Sequence, residues 1–208
     1  FMPRGLQIDV EGDCNDYVGK VLSGGIISVR PPETAGFLAS ENVIAGNVIG
    51  YGATSGKIFL NGVVGERFMV RNSGAVAVAE GVGDHALEYM TGGRVVILGK
   101  TGINLGAGMS GGIAYVHRLS ESKVNREALQ LGEITLSALD DTGKDELQAI
   151  LEQHLDLTGS PLTKIILDDF STHAKEFVRV MPRDYARIVE IQQDAQATGI
   201  DLDGLRGV

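Results

Sequence analysis

The sequence predicts a mainly β protein, a right-handed parallel β-helix with coils of about 18 residues, followed by a C-terminal α-helical segment. Three observations predict it. Glycine contributes 29 of the 208 residues, roughly twice its usual share. A Ser/Thr–Gly group before a short β-rich run recurs at a nearly constant step. Beyond residue 118 this repeat stops and helical spacing begins.

The repeat is the strongest of these observations. In its last four copies the first glycines lie at positions 56, 74, 92 and 111, with steps of 18, 18 and 19 residues. A fifth copy lies upstream, at residues 23–25, and a loop-like insertion at residues 31–42 separates it from the others. Such a period is typical of a solenoid, in which each coil buries its apolar face against its neighbours.

Alignment of the copies on their last glycine predicts which side chains face inwards. The second and fourth residues after that glycine are apolar, and alternate residues of a strand face opposite ways. We therefore expect two inward rows and an outward row at the first residue. The inward rows are Ile27, Ile58, Val76, Val95 and Ala114, and Val29, Leu60, Val78, Ile97 and Val116; the outward row is Ile26, Lys57, Ala75, Arg94 and Ile113.

Each coil contains a second glycine turn, at residues 62–65, 81–83 and 99–102, which predicts a second short strand after it. Eighteen residues are also three hexapeptides, the period of left-handed β-helices. However, an aliphatic residue before glycine does not recur every six residues within a coil. This favours the right-handed form. Because the repeat stops there, the β-helix is predicted at residues 1–118.

The segment 119–208 is predicted to pack on the β-helix or to trail it. Thr142 or a neighbour would cap a first helix. Ser160 and Pro161 form a cap and first-turn signal for a second, residues 177–181 read as extended, and Pro182 opens a third. The expected buried faces are Leu147, Ile150, Leu151 and Leu155 in the first helix, Leu162, Ile165 and Ile166 in the second, and Tyr185, Ile188 and Val189 in the third. From Gly199 the tail is expected to fray.

Composition excludes several classes of function. The net charge of −9 argues against binding to nucleic acids and anionic membranes, which requires clustered Lys and Arg. No apolar run approaches the ~20 residues of a membrane span. Cys14 is the single cysteine, which excludes an internal disulfide and favours a reducing, cytoplasmic compartment. The start, Phe1-Met2, reads as part of a longer polypeptide.

Gly106, Gly108 and Gly111 spell G-x-G-x-x-G, the spacing of a dinucleotide-binding turn. Such a turn needs a helix that opens at the third glycine, because the helix N-terminus holds the pyrophosphate. Here a β-rich run follows instead. Residues 93–101 nearly spell a phosphate-binding loop, but with five residues between the glycines. We therefore interpret both motifs as corners of coils.

The titratable residues show no catalytic or metal-binding spacing. His85 follows Asp84 at a turn, His117 ends the last strand, and His154 and His173 have no Cys or His partner nearby in the sequence. Cys14 has neighbours that would not lower a thiol pKa. The adjacent carboxylates at 140–141 and 168–169 diverge on a helix or loop, and charges such as those of Lys57, Arg94, Glu66 and Arg67 read as solvated or as interface residues. The prediction is no catalytic, cofactor-binding or metal residue in this chain.

The assembled stretches resemble the G-x-G-x-G β-helix domain at the C-terminus of the glutamate synthase large subunit. They are residues 5–25, 51–62, 65–102 and 106–116, the last reading GAGMSGGIAYV. Residues 152–160 and 177–189 are similar to the helical tail of the same domain. One departure is Phe170, where the family pattern has tryptophan.

The resemblance implies a right-handed parallel β-helix followed by helices, within an enzyme that makes two glutamates from glutamine and 2-oxoglutarate with NADPH or ferredoxin as reductant. It also implies that FMN and an iron–sulfur cluster belong to other domains, and that this domain holds the amidotransferase and FMN-binding domains in place. Two alternatives are a G-x-G-x-G subunit of a formylmethanofuran dehydrogenase and a free-standing carbohydrate-active β-helix. For an excised domain, we expect an apolar patch at Ile26, Ile113 and Tyr115, and self-association.

Overall fold

The computed structural model describes residues 1–198. Most of its strands pair with a strand of the next coil. The strands are β1 (Gln7–Glu11), β2 (Ser23–Arg30), β3 (Val43–Ala45), β4 (Ser55–Val64), β5 (Ser73–Gly81), β6 (Thr91–Ile97), β7 (Gly111–His117), β8 (Ile134–Ser137) and β9 (Phe177–Pro182). The α-helices are α1 (Arg126–Gln130), α2 (Asp141–Thr158), α3 (Pro161–Asp168), α4 (Phe170–His173) and α5 (Arg183–Thr198), with 3₁₀ turns at Ala39–Glu41, Glu121–Lys123 and Ala174–Glu176.

The strands form one sheet in the order β1-β2-β4-β5-β6-β7-β9-β8, with β3 also paired to β4. All pairs from β1 to β7 are parallel. Because each connection between these strands runs once around the coil, the fold is a mainly β solenoid of about six turns, as the glycine repeat predicts. The right hand of the coil and the domain boundary at residue 118 stay predictions.

The predicted inward rows are confirmed in four coils and wrong in β5. There Ala77 and Ala79 lie in line with the inward residues of β4 and β6, whereas Val76 lies beside Lys57 and Arg94. The reason is the corner at the start of β5, where buried Ala75 takes the place that the last glycine, Gly93, has at the start of β6, so that Val76 is the first outward residue. A slip of one residue turns every side chain to the other face.

The outward face of the sheet is covered by the helical segment. Phe59, Val78 and Val96 pack with Leu147 and Leu151 of α2 in a second core layer, separate from the layer inside the coils. Tyr115 is only 1% exposed, Ile113 is 4% exposed and Ile26 is half-buried. The predicted apolar patch at Ile26, Ile113 and Tyr115 is therefore wrong, because α2 and its neighbours bury that face.

The signals for helix starts are mostly confirmed. Asp140, two residues before Thr142, caps α2 by accepting a hydrogen bond from the Gly143 N–H, and Ser160 caps α3 with Pro161 in the first turn. In α2 the buried face holds His154 with Leu147, Ile150 and Leu151, and Leu155 is half-buried. Ile165 of α3 is exposed, because the buried face of that helix turns Thr163 and Ile166 inwards.

The stretch predicted to be extended, residues 177–181, forms β9 and pairs antiparallel with β7. The parallel order of the sheet ends there. Helix α5 begins at Arg183, directly after Pro182. Tyr185 and Val189 pack against the second core layer, but Ile188 is exposed. The tail from Gly199 lies outside the described residues.

The predicted second short strand is confirmed only in part: β3 pairs with Val63 and Val64 at the end of β4, but among the described residues no strand follows the second glycine turn of a coil. In its place lies a turn in which every second residue has a positive φ, and we call the stacked turns the left-handed ladder. Its residues are Tyr17, Gly19 and Val21; Val48, Gly50 and Gly52; Arg67, Met69 and Arg71; His85, Leu87 and Tyr89; and Asn104, Gly106 and Gly108. Ladder N–H groups bond to carbonyls of neighbouring coils, as from Met69 to Ile49 and from Leu87 to Phe68, both at 2.8 Å.

Candidate functional site

A groove of about 410 Å³ lies between the insertion loop and the turn that joins α2 to α3. One wall comes from the insertion, which contributes Phe37 and Leu38, and the other from α3, which contributes Leu162 and Ile165. Phe37, Leu38 and Ile165 are each more than half exposed. The rim is therefore apolar and open to solvent.

The floor of the groove is polar and buried. Glu80 of β5 and Asn61 of β4 line it, with exposures of 1% and 4%. The Ser160 hydroxyl donates to Glu80 Oε1, and Asn61 Nδ2 donates to the Thr158 carbonyl at 3.3 Å. These bonds join the sheet to the α2–α3 turn, so the groove has a fixed base.

His154 lies beside this base and is fully buried. Its Nε2 is 4.0 Å from Glu80 Oε1, and neither ring nitrogen has a hydrogen-bond partner among the described residues. Burial lowers the pKa of His154, against an opposing effect of Glu80. The ring is therefore neutral at pH 7 and packs beside Phe59, with ring centroids 5.9 Å apart.

Several residues that the sequence suggests as solvated charges instead attach α2 to the sheet. Arg94 Nε donates to both Glu146 oxygens at 2.8 Å, and the Tyr115 hydroxyl donates to the same carboxylate at 2.5 Å. Lys57 Nζ donates to Gln153 at 2.5 Å. The outward row is therefore an interface within the chain. Glu66 and Arg67 lie at the start of the ladder, where they are exposed.

The remaining candidates from the sequence lie apart from one another. His85 Nδ1 lies 2.7 Å from Glu88 Oε1 at the ladder. Asp140 caps α2 and accepts from Arg179 at 2.7 Å. Burial, followed by the charge of Asp13, raises the pKa of the Cys14 thiol, which disfavours the nucleophilic thiolate.

One cluster was missed by the sequence reasoning. His117, His173 and Glu176 bring two imidazole nitrogens and a carboxylate oxygen within 4.8 Å of one another. The pKa of Glu176 is lowered to about 2, first by its hydrogen bond with the Arg118 guanidinium and second by its hydrogen bond with His117. The signal available in the sequence was His173 three residues before Glu176, on one helical turn. The contribution of His117 depends on the pairing of β7 with β9.

The described helices include none with the length and apolarity needed to cross a membrane. In the turn that spells G-x-G-x-x-G, Gly106 and Gly108 belong to the left-handed ladder and Gly111 begins β7. A strand, and no helix, therefore follows the motif, as its β-rich composition predicts.

Comparison with known proteins identifies the family of the chain. The family model described as GXGXG motif matches residues 1–183. The chain is 51% identical over 193 residues to the NADH glutamate synthase of Schizosaccharomyces pombe, covering 91% of this chain and 9% of that protein. It is 46% identical over 202 residues to the NADPH glutamate synthase large chain of Bacillus subtilis, covering 96% and 13%.

A ferredoxin-dependent glutamate synthase of Synechocystis is 44% identical over 203 residues, covering 96% of this chain and 13% of that protein. The chain thus spans about a tenth of the length of these relatives. The match runs across both the coils and the helical segment. The chain belongs to the GXGXG motif family, and the relatives it matches are glutamate synthases.

Proposed function

We propose that the chain is a structural domain of a glutamate synthase, which holds the amidotransferase and FMN-binding domains in the arrangement that lets ammonia pass between them. The parent reaction would convert glutamine and 2-oxoglutarate, with a reductant, to two glutamates. The relatives of the chain are named glutamate synthases, with NADH, NADPH or ferredoxin in their names.

The observation that carries the proposal is the open apolar rim of the groove. Phe37, Leu38 and Ile165 expose apolar side chains next to one another above a base fixed by Glu80 and Ser160. Clustered exposed apolar groups mark interaction surfaces. The matched relatives are far longer than this chain, and their other domains are the partner we propose for this rim.

The construction of the coils supports a mechanical role. Inward side chains from all the parallel strands form one continuous core, and α2 is bonded across the outer face by Arg94 and Lys57. Close-packed cores are stiff. The chain can therefore set a fixed distance between surfaces at its two ends.

The chemistry of the parent is proposed to lie elsewhere. FMN and the iron–sulfur cluster would belong to other domains, since an iron–sulfur cluster requires several cysteines and this chain contains one. For the same reason we keep a reducing, cytoplasmic compartment as part of the proposal. The relatives favour glutamate synthase over the formylmethanofuran dehydrogenase subunit and the carbohydrate-active β-helix.

The test is the substitution Leu38→Glu in the complete enzyme that contains this chain. A charge on the rim must be desolvated against the neighbouring domain, so we expect loosened domains to leak ammonia and the ratio of glutamate formed to glutamine hydrolysed to fall. The matched control is Leu131→Glu, since Leu131 is exposed to a similar degree but follows α1, away from the groove.

Glutamine hydrolysis and glutamate synthesis from added ammonia are measured separately for both variants. A lower ratio in Leu38→Glu alone, with both half-reactions intact, supports the proposal. An unchanged ratio in Leu38→Glu, or the same loss in both variants, contradicts the assignment of the groove as the docking surface.

A further inference from the structure

We propose that His117, His173 and Glu176 form a zinc site that fastens the helical segment to the last coil. This inference does not depend on the proposed function. The cluster lies at the end of β7, next to a cavity of about 570 Å³ that His117 and Arg118 help to line.

The fold brings the three side chains together by two separate means. His117 is the last residue of β7, and its partner across the antiparallel pair is Phe177, the residue after Glu176. His173 ends α4 and lies one helical turn before Glu176. The strand pairing therefore fixes the first contact and the helical turn fixes the second, both on backbone that is hydrogen-bonded.

The distances are close to those of a metal site. His117 Nε2 lies 2.9 Å from Glu176 Oε2, and His173 Nδ1 lies 3.2 Å from the same oxygen. In tetrahedral zinc with bonds of about 2.0–2.1 Å, ligand atoms are separated by about 3.4 Å. The two separations from Glu176 Oε2 thus need to widen by only a few tenths of an ångström, and the two imidazole nitrogens lie within 4.8 Å of one another.

The hydrogen-bond geometry of His117 is compatible with a metal ligand. Its Nδ1 lies 3.2 Å from the Leu98 carbonyl and its Nε2 faces the Glu176 carboxylate, so both ring nitrogens face oxygen acceptors. A neutral imidazole has one N–H. With that N–H directed to the Leu98 carbonyl, the Nε2 lone pair is available to bind a metal ion beside Glu176.

The surroundings of His117 favour the metal. A ligating histidine commonly donates its other N–H to a backbone carbonyl, which fixes the tautomer and the ring orientation, and Leu98 supplies that acceptor. The His117 side chain is 8% exposed, whereas those of His173 and Glu176 are 21% and 33% exposed. An ion can therefore enter from the side of His173.

The ligand types favour a transition-metal ion, for which we propose zinc, over magnesium and calcium. Two imidazoles and one carboxylate are a ligand set of zinc sites, whereas magnesium and calcium prefer oxygen ligands. A water from the cavity would be the fourth ligand. Arg118 donates to both Glu176 oxygens at 2.9 Å, including the proposed ligand Oε2. A bound zinc ion would displace this guanidinium from Oε2, and its 65% exposed side chain can turn into solvent.

The test is a calorimetric titration of the chain, made without a histidine tag and freed of metal by chelator, with ZnCl₂. We expect one equivalent of zinc, a higher Tm with zinc, and visible absorption bands of tetrahedral Co²⁺ when cobalt replaces zinc. His173→Ala and Glu176→Gln should each weaken binding more than about tenfold.

The matched control is His85→Ala, which removes a histidine that is also paired with a glutamate, Glu88, at 2.7 Å. This variant should bind zinc as the unaltered chain does. Absence of zinc binding by the folded chain, or binding that persists in both His173→Ala and Glu176→Gln, would overturn the site. Circular dichroism of each variant establishes that it is folded.

Discussion

Gly52 is a ladder residue with a φ of 64°, and the space where a Cβ would lie is open. A substitution there thus changes the backbone preference and almost nothing else. We expect Gly52→Ala to lower the free energy of unfolding by about 1 kcal/mol, because an L side chain disfavours the left-handed region, with part of the cost offset by lower entropy of the unfolded chain.

Urea unfolding measures this change, and Gly36→Ala is its control. Gly36 also has open space at its Cβ position but no positive φ, so its substitution should leave stability unchanged or raise it slightly. An equal loss in both variants would show that the ladder conformation is not the cause.

Single residues also explain why the predictions for β5 and for the ladder were wrong. Most inward residues could be predicted, because their positions follow the glycine corners. The prediction for β5 was shifted by one residue, because Ala75 occupies the position that the last glycine, such as Gly93, has in the Gly-Gly corners. The ladder could not be predicted, because side chains such as Arg67, Met69 and Leu87 adopt a positive φ that such residues rarely have.

Helix α2 buries a histidine, His154, that the sequence does not predict on its buried face. The sequence predicts Leu155 there, but the helix turns His154 inwards, where its ring nitrogens have no hydrogen-bond partner among the described residues. A buried polar group without a partner destabilises a fold by about 1–3 kcal/mol. We therefore expect His154→Leu to raise the free energy of unfolding by about 1 kcal/mol at pH 7.

The same substitution should change the dependence of stability on pH. Burial lowers the pKa of His154 below its usual 6.5, so below that pH the unfolded chain binds the proton more readily and stability falls. Urea unfolding between pH 7 and about 5 should show a smaller loss in His154→Leu than in the unaltered chain. His85→Leu, at a half-buried ladder residue, should retain the loss; an identical slope in all three proteins would contradict this role of His154.

The elements themselves were predictable where a local signal marks them. Ser160 and Pro161 start α3 as their types suggest, and the aliphatic spacing located α2 and β9. The cluster of His117, His173 and Glu176 was not predictable, because its first member is joined to the others by strand pairing between distant parts of the chain. The spacing of these residues along the sequence does not indicate that β7 pairs with β9.

For the whole molecule, the apolar surface lies at the groove rim and not on the outward face of the sheet. The helical segment buries Ile113 and Tyr115, while Phe37, Leu38 and Ile165 at the groove are each more than half exposed. Composition could predict that a patch exists, but its place depends on which elements cover the sheet. The contacts between the helices and the sheet cannot be predicted from the glycine repeat.

We expect the isolated chain to self-associate through this rim, because exposed apolar groups in proximity attract one another in water. Leu38→Glu should lower the apparent mass measured by light scattering at high concentration, and Leu131→Glu should leave it unchanged. A monomeric unaltered chain, or equal effects of the two variants, would contradict association through the groove.

The stacking of the coils determines where the chain can change its length in evolution. Deleting one residue within a strand would turn the inward row outwards and would also place the wrong residues at the left-handed positions of that coil. Two independent patterns would fail together. The insertion at residues 31–42 lies outside both patterns, so a change in its length would alter the rim that Phe37 and Leu38 form without disturbing the coils.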